Sequence, residues 1–227
     1  MIYIVPVLFG LIHLIEFSSY LSRVAGLRVG YPMLGYSFQQ MFFVGTRFLF
    51  IALMPLIGFL VDSKISANDY IYMLFLSMLS ATLAYFLVFF FKEKIINIMS
   101  LLILRKIDAK IDSIFQNDII YRNIILNNKK TIFLSAIVFC SYSLGAFIAF
   151  YFALIFYDYR TTISQMSGVV NGFATVLLTF IIEPMLAKKF DERDEQTVEI
   201  LYSVLMGRFL GVCLCSQIII LILWLIS

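Results

Sequence analysis

The chain is poor in the side chains on which most soluble chemistry depends: it holds one histidine, three cysteines and charge on only 14% of its residues. A lone histidine, His13, leaves a catalytic metal site short of ligands, so no metal and no other cofactor is expected. Cys140, Cys213 and Cys215 lie inside apolar runs, where cysteine behaves as a small hydrophobe, and none has the spacing of a zinc or redox site. A GxSxG serine elbow, an HExxH zinc motif and a glycine-rich phosphate loop are all missing, which argues against an enzyme and against an ATPase within the chain.

What is there is apolar. Hydrophobic residues make up 62% of the 227, and the mean hydropathy is +0.98, outside the range of a soluble domain. A spanning helix needs about 20 mostly apolar residues. Six stretches qualify: 2 to 24, 33 to 61, 70 to 91, 131 to 156, 162 to 187 and 198 to 225. The expected fold class is therefore all-α, a polytopic membrane bundle of six transmembrane helices. The start MIYIVPVLFG has no basic n-region or small-residue cleavage site and reads as a first span, not a removed signal. The second stretch is long enough to be tilted or broken, with Pro55 and Gly58 as the place.

Basic residues set the orientation. The first, third and fifth connections hold thirteen Lys and Arg, while the second and fourth hold only Lys64 and Arg160. The positive-inside rule then puts the basic connections in the cytoplasm and both termini outside. The third connection, 92 to 130, is too long for a turn. Its Ile95, Ile98, Met99, Leu102 and Ile103 keep helical spacing and precede Arg105, Lys106 and Lys110, the pattern of an amphipathic helix on the cytoplasmic leaflet. This linker separates two three-helix halves, 1–91 and 131–227, an arrangement open to a 3+3 inverted repeat.

Several ionisable groups fall inside these spans. His13, Glu16, Tyr20 and Arg23 follow at spacings of three, four and three and so share one face of a helix. Gln39 and Arg47 lie in the second span, Gln165, Asn171 and Glu183 in the fifth, and Arg208 in the sixth. A charge at the bilayer centre costs about 3 kcal/mol on insertion scales, so such residues face a cavity or one another. Two readings stay open. In one, Glu16 and Glu183 neutralise Arg47 and Arg208 and the four only lock helices together. In the other, Arg23, Arg47 and Arg208, with Gln39, Gln165 and Asn171, line a hydrated cavity for an anionic head group. His13, Glu16 and Glu183 then balance charge or respond to protons, and guanidinium groups suit phosphate because they bind it bidentately and stay protonated. Gly168 with Gly172, and Gly207 with Gly211, allow close helix approach within the bundle or in a homodimer.

Three segments carry a family likeness: IHLIEFSSYLSRVAGLRVG from Ile12, YRTTISQMSGVVNGFATVLLTFIIEP from Tyr159, and GRFLG from Gly207. Together with Arg47, Pro55, Leu56, Gly58 and Asp62 of the second span, they resemble the Amj family, lipid II flippases that act as an alternate to MurJ. The resemblance implies movement of an undecaprenyl-pyrophosphate-linked peptidoglycan precursor from the inner to the outer leaflet. Membrane lipid and a polyprenyl-pyrophosphate-linked saccharide, not nucleic acid, are then the expected partners. One departure is FLFIALM after Arg47, with Phe48, Phe50 and Leu53 where the family carries amide side chains. It keeps another polyprenyl-linked saccharide open as cargo, and the reading of the charges as helix locks keeps open a non-transporting scaffold.

Overall fold

The computed structural model describes residues 1–107, 128–192 and 196–226, which form nine α-helices and no strand. These are α1 (Ile4–Arg28), α2 (Pro32–Asp62), α3 (Ala67–Phe90), α4 (Lys92–Lys106), α5 (Lys129–Ile155), α6 (Arg160–Leu177), α7 (Glu183–Glu192), α8 (Gln196–Phe209) and α9 (Ser216–Ile226). A π-helical segment, Leu178–Ile182, joins α6 to α7, and a second, Leu210–Cys215, joins α8 to α9. Six continuous helical units are long and apolar enough to cross a membrane: α1, α2, α3, α5, Tyr157–Glu192 and Thr197–Ile226. The chain is a multi-pass membrane protein.

Helices α1 and α5 are the central ones, each packed against several other helices. Around α1 lie α2, α3 and α4; around α5 lie α6 and α8. The close α1–α2 packing has a local cause. Gly30 adopts φ +79, a turn open to glycine at no steric cost, and Pro32 then starts α2 with its φ already set for a helix. Gly26 and Gly35 meet where the two helices cross: a Cβ on Gly35 would stand 2.5 Å from the Ser22 carbonyl oxygen and 2.9 Å from Gly26 Cα. The Ser22 hydroxyl donates to the Gly35 carbonyl at 2.7 Å across the same crossing. Gly207 and Gly211 do the same for α8 on α5, where a Cβ would collide with the backbone of Ile132 and Ala136. Gly168 and Gly172 have no neighbour within 4 Å among the described residues, so only one of the two glycine pairs is used inside the bundle.

Two expectations change. Helix α2 runs unbroken through Pro55, and the irregular turns fall in the fifth and sixth spans instead. Pro55 removes one backbone donor, whereas the π segments insert an extra residue per turn and leave their carbonyls locally re-paired. Helix α4 also does more than rest on a leaflet. It buries Ile96, Met99, Ile103 and Leu104 against the bundle, chiefly α1, while Ile98 and Leu102 stay exposed. Arg28 at the end of α1 holds it there, donating to Asn97 Oδ1 at 2.8 Å and to Glu93 Oε2 at 3.1 Å. The rest of the linker, 108–127 with Lys110 and Arg122, and Arg193 lie outside the described residues.

Candidate functional site

The polar face of α1 divides between two places. Its upper part, His13 and Glu16, enters a closed network at the junction of α1, α2, α3 and α8. Glu16 pairs with Arg208, and the Arg208 side chain is 1% exposed. Arg208 Nε donates to the Tyr85 hydroxyl at 2.9 Å. With that oxygen accepting, the Tyr85 hydrogen is free for His13 Nδ1, 2.7 Å away. Thr46 Oγ1 stands 3.0 Å from Glu16 Oε1 and 2.7 Å from the Phe43 carbonyl. The Arg208 guanidinium lies 4.6 Å from the Phe139 ring centroid. A fully buried ion pair of this kind is costly to break from one side, because the abandoned charge has no water to turn to.

The lower part, Tyr20 and Arg23, faces a cleft of about 550 Å³ bounded by α2 on one side and by α6, α7 and the π segment between them on the other. Its floor is α1, with Tyr142 of α5 closing the back. Arg23 is 2% exposed; its Nε donates to Gln39 Oε1, and its Nη2 donates to Glu183 Oε2 at 2.5 Å. The guanidinium sits 4.7 Å from the Tyr36 ring centroid. Arg47 lines the other end of the cleft, exposed, 4.6 Å from the Phe43 ring centroid, and has no carboxylate within ion-pair distance among the described residues. Arg47 is the middle residue of the 31-residue α2, far from both ends of a helix long and apolar enough to cross a membrane.

Of the sequence-predicted residues, Arg23, Gln39, Arg47 and Glu183 come together in the cleft. Arg208, Glu16 and His13 come together in the closed network and do not line it. The ion pairs are Glu16 with Arg208 and Glu183 with Arg23, so neither carboxylate neutralises Arg47. Gln165 points outward from α6, and Asn171 packs against Gly145 of α5 with its Oδ1 buried, so neither reaches the cleft. Phe48, Phe50 and Leu53 also lie outside its lining; Leu53 is fully buried in the core and Phe48 is exposed. Sequence reasoning missed Tyr85, Thr46, Tyr36 and the Tyr142–Thr175 hydrogen bond of 2.6 Å. Only Thr46, beside Arg47, carried a signal, as a hydroxyl next to an intramembrane charge.

The family model Amj, alternate to MurJ, matches residues 115–224. A curated relative, the lipid II flippase Amj of Bacillus subtilis (strain 168), is 24% identical over 208 residues, covering 80% of this chain and 77% of that protein. The resemblance to the Amj family therefore stands. No solved structure matches the chain. The Amj match takes in the second-half wall of the cleft, with Tyr142, Thr175 and Glu183, and also Arg208 of the closed network. Arg23, Gln39 and Arg47 lie N-terminal to the segment that the Amj model covers.

Proposed function

We propose that this chain moves a polyprenyl-pyrophosphate-linked saccharide from the inner to the outer leaflet of the bacterial cytoplasmic membrane, with lipid II as the leading cargo. The observation that carries the reading is Arg47: a guanidinium in a membrane-length helix, with no carboxylate partner among the described residues, lining a cleft that also holds Arg23, Gln39, Gln40 and Tyr36. A cation in that place needs an anion, and the phosphates of a lipid carrier supply one while the carrier's tail stays in the bilayer. The barrier to flipping is the desolvation of a charged, sugared head group, which fixed polar groups in a lateral cleft lower without any covalent step.

The cleft lies between the two halves, with α1 and α2 on one side and α5, α6 and α7 on the other. Its lining reaches Pro32 and Met33 at the start of α2 and Asp191 near the end of α7, the end that the positive-inside rule assigns to the cytoplasm. This supports a cytoplasm-facing state, and movement of the halves about α1 and α5 would present the same residues to the other leaflet. The cargo name comes from the Bacillus subtilis relative. The apolar Phe48, Phe50 and Leu53 give no reason to prefer another saccharide, since they do not line the cleft. Expression in a bacterium depleted of its essential lipid II flippase tests the reading. Rescue by the native chain and none by a membrane-inserted Arg47→Ala variant is expected; rescue by both would remove Arg47 from the mechanism.

A further inference from the structure

The charges lining the cleft are Arg23, Arg47, Glu183 and Asp191, a formal total of zero. That balance is awkward for a site that must hold a pyrophosphate, because each carboxylate cancels the attraction of one arginine. Asp191 is exposed near the end of α7, where water screens it. Glu183 is different: its side chain is 19% exposed and bonds directly to Arg23. A carboxylate and a phosphate offer a guanidinium the same thing, paired oxygens for its forked N–H groups. The N–H of Nη2 that serves Glu183 cannot also serve a phosphate, and a phosphate seated beside that carboxylate on the remaining N–H groups would meet its negative charge.

The pair also bridges two elements whose other contact at this place is the Arg23 guanidinium over the Phe190 ring, 5.6 Å to its centroid. It runs from α1 to α7, and α7 begins at Glu183 directly after the π segment Leu178–Ile182. Such segments are frequent at functional sites.

We propose that Glu183 holds on Arg23 the place that a substrate phosphate takes, so that arrival of the phosphate releases the carboxylate and α7, and return of the carboxylate expels the phosphate. The inference rests on the reading of the cargo as a lipid-linked pyrophosphate. Binding of phosphate and closure of the Arg23–Glu183 pair then oppose each other, and each weakens the other by the same factor.

The test uses the purified full chain in nanodiscs with farnesyl pyrophosphate, a short-tailed probe bearing the same charged group. Glu183→Gln should bind it about tenfold tighter or more, with Arg23 no longer contested. Glu183→Asp, which keeps the charge but shortens the reach, should strengthen binding in the same direction, and it serves where the Gln variant does not fold. Asp158→Asn, equal in charge change at an exposed position outside the cleft, should alter binding by less than about twofold. Adding Arg23→Gln to Glu183→Gln should abolish the gain. If Asp158→Asn strengthens binding as much as Glu183→Gln, or the gain survives loss of Arg23, the effect is a general field and the exchange is wrong. Binding by the native chain with no gain in either Glu183 variant also overturns the exchange while leaving the cargo reading intact. No binding by native or variant chains overturns both.

Discussion

At the scale of single residues, the charged groups divide into a lock and a site. The lock is Glu16 with Arg208, held by Tyr85 and Thr46 and closed to the cleft. Removing Arg208 alone, as Arg208→Leu, should cost about 3 kcal/mol or more because Glu16 stays buried and charged. Glu16→Gln combined with Arg208→Gln should cost less than either single change, as read by thermal unfolding in detergent. Tyr85→Phe, which leaves Arg208 Nε and His13 Nδ1 without their partner, should cost about 1–3 kcal/mol. It should leave probe binding in the cleft unchanged. The charges themselves were legible in the sequence, since each breaks an apolar run. Their partners were not: Glu16 and Arg208 are separated by 192 positions and Arg23 and Glu183 by 160, and nothing local distinguishes one distant arginine from another. Tyr85 was invisible for a different reason, being one tyrosine among thirteen in an aromatic-rich chain.

At the scale of elements, all six spans could be read from hydropathy, because a helix long enough to cross a bilayer needs an apolar run that few other structures require. The irregularities could not. Pro55 is a strong local signal, yet α2 absorbs it, while LTFII and LGVCLC carry no residue that marks a π turn. The face of α4 was misjudged because Ile95, Ile98 and Leu102 share its apolar content with Met99 and Ile103, and periodicity cannot say which apolar face meets protein and which meets lipid. The glycines give the sharpest element-scale test. Gly35→Leu must push α2 away from Ser22 and α1, and with it Gln39 from Arg23; loss of probe binding and of monodisperse protein is expected. Gly168→Leu places its side chain in open space and should leave thermal stability of the monomer unchanged. If the chain forms a homodimer through α6, the same variant should dissociate it, which mass photometry would read.

At the scale of the whole molecule, the arrangement is two central helices, α1 and α5, with a cleft between the halves they organise. The fold class and the presence of charges inside the apolar spans were open to the sequence; the shape of the cleft depended on how α2 and α6 splay from those centres, which hydropathy does not encode. The proposed transport requires the walls of the cleft to change their separation. Cysteines at Tyr36 and Ala187, on opposite walls of the cleft, introduced in a Cys215→Ser background because that native cysteine is exposed, should arrest transport when joined by a short bismaleimide and restore it when left unjoined. The most direct measurement is flipping of fluorescently labelled lipid II in proteoliposomes, comparing native chain with Arg47→Ala at equal reconstitution. Flipping by the native chain and background rates for the variant are predicted; equal rates for the two, or no flipping by either, would contradict the account.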